Sequence, residues 1–310
     1  MQLTLTLKTV RAAICRFTRA KRCNLNLTLM HLLLFVYAIT LSLFIRTNPK
    51  PTTMKNLVLT VMIVLGAYAN AQSPKRILAI FAHPDDEQTV APLLVKSVEE
   101  GAEVTLVTAT DGRLGTNEYT DYEAGDGLAA IRREELKCAA ETLGVDLIHL
   151  NYHDQLRAAE GYDGHIPHVR SLLKEITEIV ERVQPDVLIT WGPDGASNHM
   201  DHRLIGATVT QVFTARQWEN DMQLYFFGIP SDILPSEEAV IQRGTDRSLL
   251  NIQIPFEQRH LDTAYESLRC HASQYPSYIV DQMKQDRQAL EQKVFLRQFV
   301  APTATANSLF

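Results

Sequence analysis

Not one of the first 76 residues is Asp or Glu, although eleven are Lys or Arg. All 36 acidic side chains of the 310-residue chain lie beyond that point, against 19 basic ones. An acidic body is a poor partner for nucleic acid, which is held through basic surface. Cysteine is scarce: four residues cannot staple a fold of this length, which excludes a disulfide scaffold. Gly and Pro, at 14 and 13 residues, fall far short of collagen-like or low-complexity usage. No internal repeat is visible. What remains is ordinary globular composition, 45% apolar and 21% charged, in a chain long enough to bury a real core.

The acid-free region holds two apolar stretches. Residues 25–45 are long enough to span a bilayer and follow the basic cluster Lys8, Arg11, Arg16, Arg19, Lys21 and Arg22. Residues 57–67 are shorter, follow Met54-Lys55-Asn56, and lead to Ala69-Asn70-Ala71. A charged start, a short apolar core and A-x-A are the parts of a secretory signal peptide. No cysteine follows that core, so a lipoprotein anchor is not expected. Two readings stay open: a signal peptide over 54–71 behind an over-long start, or a signal anchor at 25–45. Either way residues 1–71 read as a targeting region and the rest as exported, to the periplasm or outside the cell. Membrane contact is then expected only through the amino-terminal segment. The exported part keeps Cys138 and Cys270, one potential disulfide.

From Lys75 the pattern alternates. Residues 77–82 form a continuous apolar run, as in a strand buried on both faces. Val90, Leu93, Leu94 and Val98 then recur at helical spacing up to Gly101. Strands are expected at 104–109, 147–150 and 187–191, and helices at 129–143, 169–183 and 204–213. This order predicts an α/β fold: a Rossmann-like, mostly parallel sheet flanked by helices, filling a domain over 72–300. Past Phe227 prolines break the pattern, with helical stretches near 260–270 and 278–298 and a loose tail at 301–310.

Two polar clusters follow expected strands. The first is His83-Pro84-Asp85-Asp86-Glu87. Ligand sites of parallel sheets form at the carboxyl ends of strands, so one His and two carboxylates there suit a metal and a spare base. A turn in which Asp caps the next helix is the plainer alternative. The second cluster is Ser197-Asn198-His199-Met200-Asp201-His202. Imidazole with carboxylate is a usual zinc set; two surface histidines beside a capping Asp201 are the alternative.

Taken together, His83-Pro84-Asp85-Asp86-Glu87 and His199-Met200-Asp201-His202 resemble the LmbE-like, or PIG-L, zinc deacetylases. The likeness runs over residues 76–213, includes Arg132-x-x-Glu135-Leu136, and returns at His271-Ala272-Ser273-Gln274. One departure is Ala264, seven residues before His271, where the family pattern has Lys. The resemblance implies an LmbE-like fold and a hydrolase removing acetyl from an N-acetylated amino sugar or glycoconjugate. It implies zinc, or another divalent metal, on His83, Asp86 and His202, with one position open to water. Asp85 is then the general base. His199 as imidazolium steadies the tetrahedral intermediate, with Asp201 orienting it and holding it charged. Either Asp85 or His199 protonates the leaving amine. Arg132 and Asp154 match positions that hold the polar part of the substrate, and Arg113 lies on the same expected edge. Arg132 pairing with Glu134 or Glu135 is the plainer alternative. His149, His153, His165, His168 and His260 read as ordinary, and Trp191 and Tyr225-Phe226-Phe227 as core. A metal-containing glycan binder of the same fold and a zinc amidase or esterase for other substrates are the rival readings.

Overall fold

A computed structural model describes residues 74–156, 165–234 and 244–300. The expected signal peptide, the 25–45 stretch and the tail at 301–310 lie outside the described residues. No helix among the described residues is long and apolar enough to cross a membrane.

The first half of the domain alternates as its apolar pattern requires. Strand β1 (Arg76–Phe81) leads through a short 3-10 turn to α1 (Ala91–Glu99), then β2 (Glu103–Thr110), α2 (Asp126–Leu143), β3 (Asp146–Tyr152), α3 (His165–Val183), β4 (Val187–Trp191) and α4 (Met200–Thr214). Leu78, Ala79, Ile80, Phe81 and Ala82 are all fully buried, as a strand covered by helices on both faces must be. Helix α2 stops at Gly144, whose positive φ of 72° closes the last turn.

The remaining elements are β5 (Gln223–Phe227), the short β6 (Ile229–Pro230) and β7 (Gly244–Thr245), β8 (Ile252–Pro255), α5 (Gln258–Arg269), α6 (Ser277–Gln288) and β9 (Lys293–Gln298). The main sheet runs β3-β2-β1-β4-β5-β9-β8. Its first five strands are parallel, whereas β9 pairs antiparallel with both β5 and β8. The sequence pattern expected helix as far as 298. The helix in fact ends at Gln288, and Lys293–Gln298 is a strand between β5 and β8 with Val294, Phe295 and Leu296 buried in succession.

Strand order reverses between β1 and β4, and with right-handed crossovers this puts α1 and α2 on one face and α3 and α4 on the other. The chain leaves β1 and β4 in opposite directions, opening a crevice at their carboxyl ends. Both polar clusters sit at that crevice. Helix α4 lies tight against β4 because Gly206 has no side chain: a Cβ there would stand 2.5 Å from the Trp191 carbonyl oxygen. That close approach sets the depth of His202, one helical turn earlier.

Candidate metal centre

Three side chains converge at the crevice. His83 Nδ1 lies 3.2 Å from His202 Nε2 and 3.5 Å from Asp86 Oδ2, and His202 Nε2 lies 3.2 Å from Asp86 Oδ1. The other ring atoms fix which nitrogens carry protons. His202 Nδ1 faces the Gly195 carbonyl at 3.0 Å, which only accepts, so the proton sits on Nδ1 and Nε2 is bare. Ser197 Oγ is also 2.9 Å from Nδ1. His83 Nε2 faces Asp201 Oδ2 at 3.2 Å and Asp154 Oδ1 at 3.3 Å, so its proton points at carboxylates and Nδ1 is bare. Two imidazole nitrogens and the Asp86 carboxylate therefore face one another, and with His83 neutral both nitrogens are free to accept a cation. Donors held ~2.0–2.1 Å from a tetrahedral metal lie about 3.3–3.4 Å apart, so this set fits such an ion.

The surroundings agree. Asp86 Oδ2 accepts from the Ala82 and His83 backbone amides at 3.0 and 2.8 Å, leaving Oδ1 toward His202. Burial alone would raise the Asp86 pKa, but His202 and His83 together hold it well below the usual carboxylate value. Burial would lower His83, yet the Asp86 charge and the bonds to Asp154, Asp201 and Asp86 hold it well above 6.5. A field that draws a proton this strongly also draws a cation. Trp191 is buried and stacks flat on the His202 ring, centroids 4.1 Å apart, so the expected core residue also backs His202.

Asp85 adopts a φ of 97°, a left-handed conformation that side-chain-bearing residues avoid. Its backbone amide donates to Glu87 Oε2 at 3.0 Å. Its carboxylate points away from Asp86 and accepts from Arg132 Nη2 at 3.0 Å. The Tyr275 hydroxyl also bonds it, and the Asp85 charge, with burial, pushes the Tyr275 pKa far up. Burial, opposed by Arg132 and assisted by Asp86, raises Asp85 itself above the usual carboxylate value.

The structure redistributes several expected roles. Asp201 does not orient His199 through its carboxylate, which bonds His83 Nε2 and accepts from the Leu156 amide at 2.9 Å. His199 instead caps α4, its Nδ1 accepting from the Asp201 backbone amide. Partial burial and the neighbouring His83 and His202 hold the His199 pKa below 6.5, which favours neutral imidazole over the expected imidazolium. Asp154 is buried and carries a pKa lowered to about 2: burial opposes this, and the His83 bond and charge and two backbone amides override it. It supports His83. Arg132 is buried beneath Asp85, bonded also to the Gly112 and Pro84 carbonyls. Gly112 makes room for it, since a Cβ there would lie 2.6 Å from Nη1. Neither Glu134 nor Glu135 takes Arg132: Lys137 pairs with the first and Ser273 donates to the second. Arg113 is clamped by Asp111 and reaches Asp126 at 2.8 Å.

The sequence reading missed Tyr275 and gave Glu87, although inside the first cluster, no role of its own. His271 Nε2 meets the buried Glu87 carboxylate at 2.6 Å, and Ser273 donates to Glu135 from both its amide and its hydroxyl. The His-x-Ser-Gln element thus grips two carboxylates beside the site and delivers Tyr275 to a third. Ala264, at the family's Lys position, is fully buried. His149 bonds the Thr110 carbonyl and His260 closes the capping box of α5, as ordinary histidines do.

Among known proteins, a family model described as "PIG-L: GlcNAc-PI de-N-acetylase" matches residues 78–213. A 1D-myo-inositol 2-acetamido-2-deoxy-alpha-D-glucopyranoside deacetylase of Nakamurella multipartita is 34% identical over 173 residues, 48% of this chain and 58% of that protein. A diacetylchitobiose deacetylase of Thermococcus kodakarensis is 34% identical over 137 residues, 43% of this chain and 46% of that one. The chain spans about half the length of the curated relatives it matches. Solved structures share the fold. The N,N'-diacetylchitobiose deacetylase from Pyrococcus horikoshii superposes with a TM-score of 0.53 at 22% identity, over 73% of this chain and 84% of that one. A teicoplanin deacetylase gives 0.56 at 17%, over 74% and 100%. A 4-carboxy-2-hydroxymuconate hydratase from Pseudomonas putida gives 0.53 at 17%, over 76% and 99%, so the fold by itself does not fix the reaction. The segment matched by the PIG-L model holds His83, Asp85, Asp86, Arg132, Asp154, His199, Asp201 and His202, so over residues 78–213 the chain is similar to the PIG-L (LmbE-like) family.

Proposed function

We propose that the chain is a zinc-dependent hydrolase that removes acetyl from an N-acetylated amino sugar or glycoconjugate. The observation that carries the reading is the set of three donors on His83, Asp86 and His202, with the Asp85 carboxylate beside them but not among them. A pure glycan binder has no use for that second carboxylate. The curated relatives are named as deacetylases of acetamido sugars, which supports the substrate class.

When bound on the three donors, zinc supplies Lewis-acid polarisation and a more acidic water. The protein's own groups divide the remaining work. Asp85, raised by burial, accepts the proton of the attacking water at its carboxylate. Arg132 and Tyr275 hold that carboxylate in place. His199, neutral with its proton on Nε2, offers a hydrogen bond to the oxygen that gains charge. With His199 neutral, Asp85 is the group left holding a proton to return to the departing amine nitrogen.

We also propose export. The leader pattern over 54–71 supports it, and so does the disulfide joining Cys138 to Cys270, since such bonds persist in oxidising compartments. The activity is tested by acetate release from N-acetylglucosamine conjugates with the purified full chain. Release that requires about one zinc per chain and stops with a chelator is expected. A metal-replete protein inert toward the whole panel would sink the reading.

A further inference from the structure

The cleft at the donor cluster is far larger than an acetyl group requires. It measures about 740 Å³, starts at Asp85, Asp86, Ser197 and His202, and continues between the β4–β5 side of the sheet and α5–α6. An acetyl methyl is about the size of a water, whose share of liquid volume is ~30 Å³. The walls beyond the donors are mostly apolar, Trp191, Phe227, Ile229, Ile233, Tyr265 and Leu290 among them. The charged groups on its α6–β9 wall are hydrogen-bonded within the protein: Arg287 donates to the Glu291 and Lys293 carbonyls, Asp286 accepts from Gln282 Nε2, and Glu291 pairs with Arg247 and Lys293.

Polarity differs across β1. Asp111, Arg113 and Asp154, bonded among themselves and to His83, follow β2 and β3 on one side of it, whereas Phe227, Ile229 and Ile233 end or follow β5 on the other. An amide placed at the donors sends its nitrogen substituent to one side and its acyl chain to the other. Sugar hydroxyls need polar partners; methylenes gain from apolar walls. Resting on the amide-hydrolase reading above, we propose that this cleft is an acyl subsite and that the preferred substrates are amino sugars with an N-acyl chain longer than acetyl. The reaction stays a hydrolysis. The C–N bond breaks, hydroxyl from water goes to the acyl carbon, hydrogen goes to the nitrogen, and the products are a free amino sugar and a fatty acid.

The test uses the zinc-loaded full chain with two substrate series. One is glucosamine carrying acetyl, butanoyl, hexanoyl or decanoyl on nitrogen; the other is N-acetylglucosamine as its methyl, hexyl or decyl glycoside. The expected result is a kcat/KM that rises along the acyl series, up to about fourfold per buried methylene, and stays flat along the glycosides. Ile233→Glu and Leu290→Glu should erase the gain on decanoyl and spare acetyl. Acetyl proving best overturns the proposal, as does a gain confined to the glycosides, which would make the cleft an aglycone site. If nothing in either series is hydrolysed, the hydrolase reading fails separately, and titration with acetate, hexanoate and decanoate decides the cleft. Tightening with chain length that Leu290→Glu abolishes supports an acyl site; equal affinities overturn it.

Discussion

Asp85 and Asp86 are covalent neighbours that face different partners, and the backbone separates them. The φ of 97° at Asp85 turns its carboxylate to Arg132, while Asp86 stays pinned by two amides and faces His202. Asp85→Asn keeps the size and still accepts from Arg132, but it cannot take a proton from water. A general base contributes about 10²–10⁴-fold, so turnover should fall by that factor while metal content stays at the wild-type level. Asp86→Asn removes the anionic donor, so bound metal should drop first. Side-by-side metal analysis and acetate-release rates check both; equal metal loss in the two variants would end the division of labour. The two polar clusters were legible in the sequence because each follows a buried strand within a few residues. The partners of His83 were not, because Asp154 and Asp201 reach it from β3 and α4, and local spacing carries no trace of that meeting. The same limit concealed Tyr275, 190 residues from Asp85.

At the scale of elements, the parallel half was readable because each buried strand is one continuous apolar run. The carboxy-terminal part was not: β9 follows α6 after four residues with no glycine or proline between, and a short apolar run such as Val294-Phe295-Leu296 does not by itself tell strand from helix. That part still matters for the site, because the turn after α5 carries His271, Ser273 and Tyr275. The disulfide fastens it. Cys270 caps α5 one residue before His271, and Cys138 lies on α2, the helix that also carries Arg132 and Glu135. The bond spans 132 residues. A loop of that length corresponds to about 5 kcal/mol in the chain-entropy model, and native bonds contribute about 2–4 kcal/mol. Replacing both cysteines by serine should therefore lower Tm by roughly 5–15 °C for a domain of this size. Thermal unfolding of the double variant against wild type measures this. A shift smaller than the error of the melt would mean that the carboxylate grips of His271 and Ser273 hold the turn unaided.

For the molecule as a whole, the segregation of charge and the disulfide point to one history. On the export proposed above, a chain whose first 76 residues carry eleven basic groups and no acid, followed by a body with nearly twice as many acids as bases, reads as a leader and a cargo. The described domain holds a disulfide between Cys138 and Cys270, the two cysteines that removal of 1–71, with Cys15 and Cys23, would leave. Cleavage after Ala71 is the processing proposed, on the small residues at 69 and 71 behind a short apolar core. The expectation is an exported protein beginning at Gln72, with no free thiol. Intact mass of the secreted or periplasmic protein reads both features at once: the start from the total, the bond from a deficit of about 2 Da that reduction restores. Retention of residues 25–45 in a membrane-bound form would reverse the processing assignment and favour an anchor. A mature chain with two alkylatable cysteines would remove the oxidising compartment from the argument, and with it the stabilisation assigned to the turn that carries Tyr275.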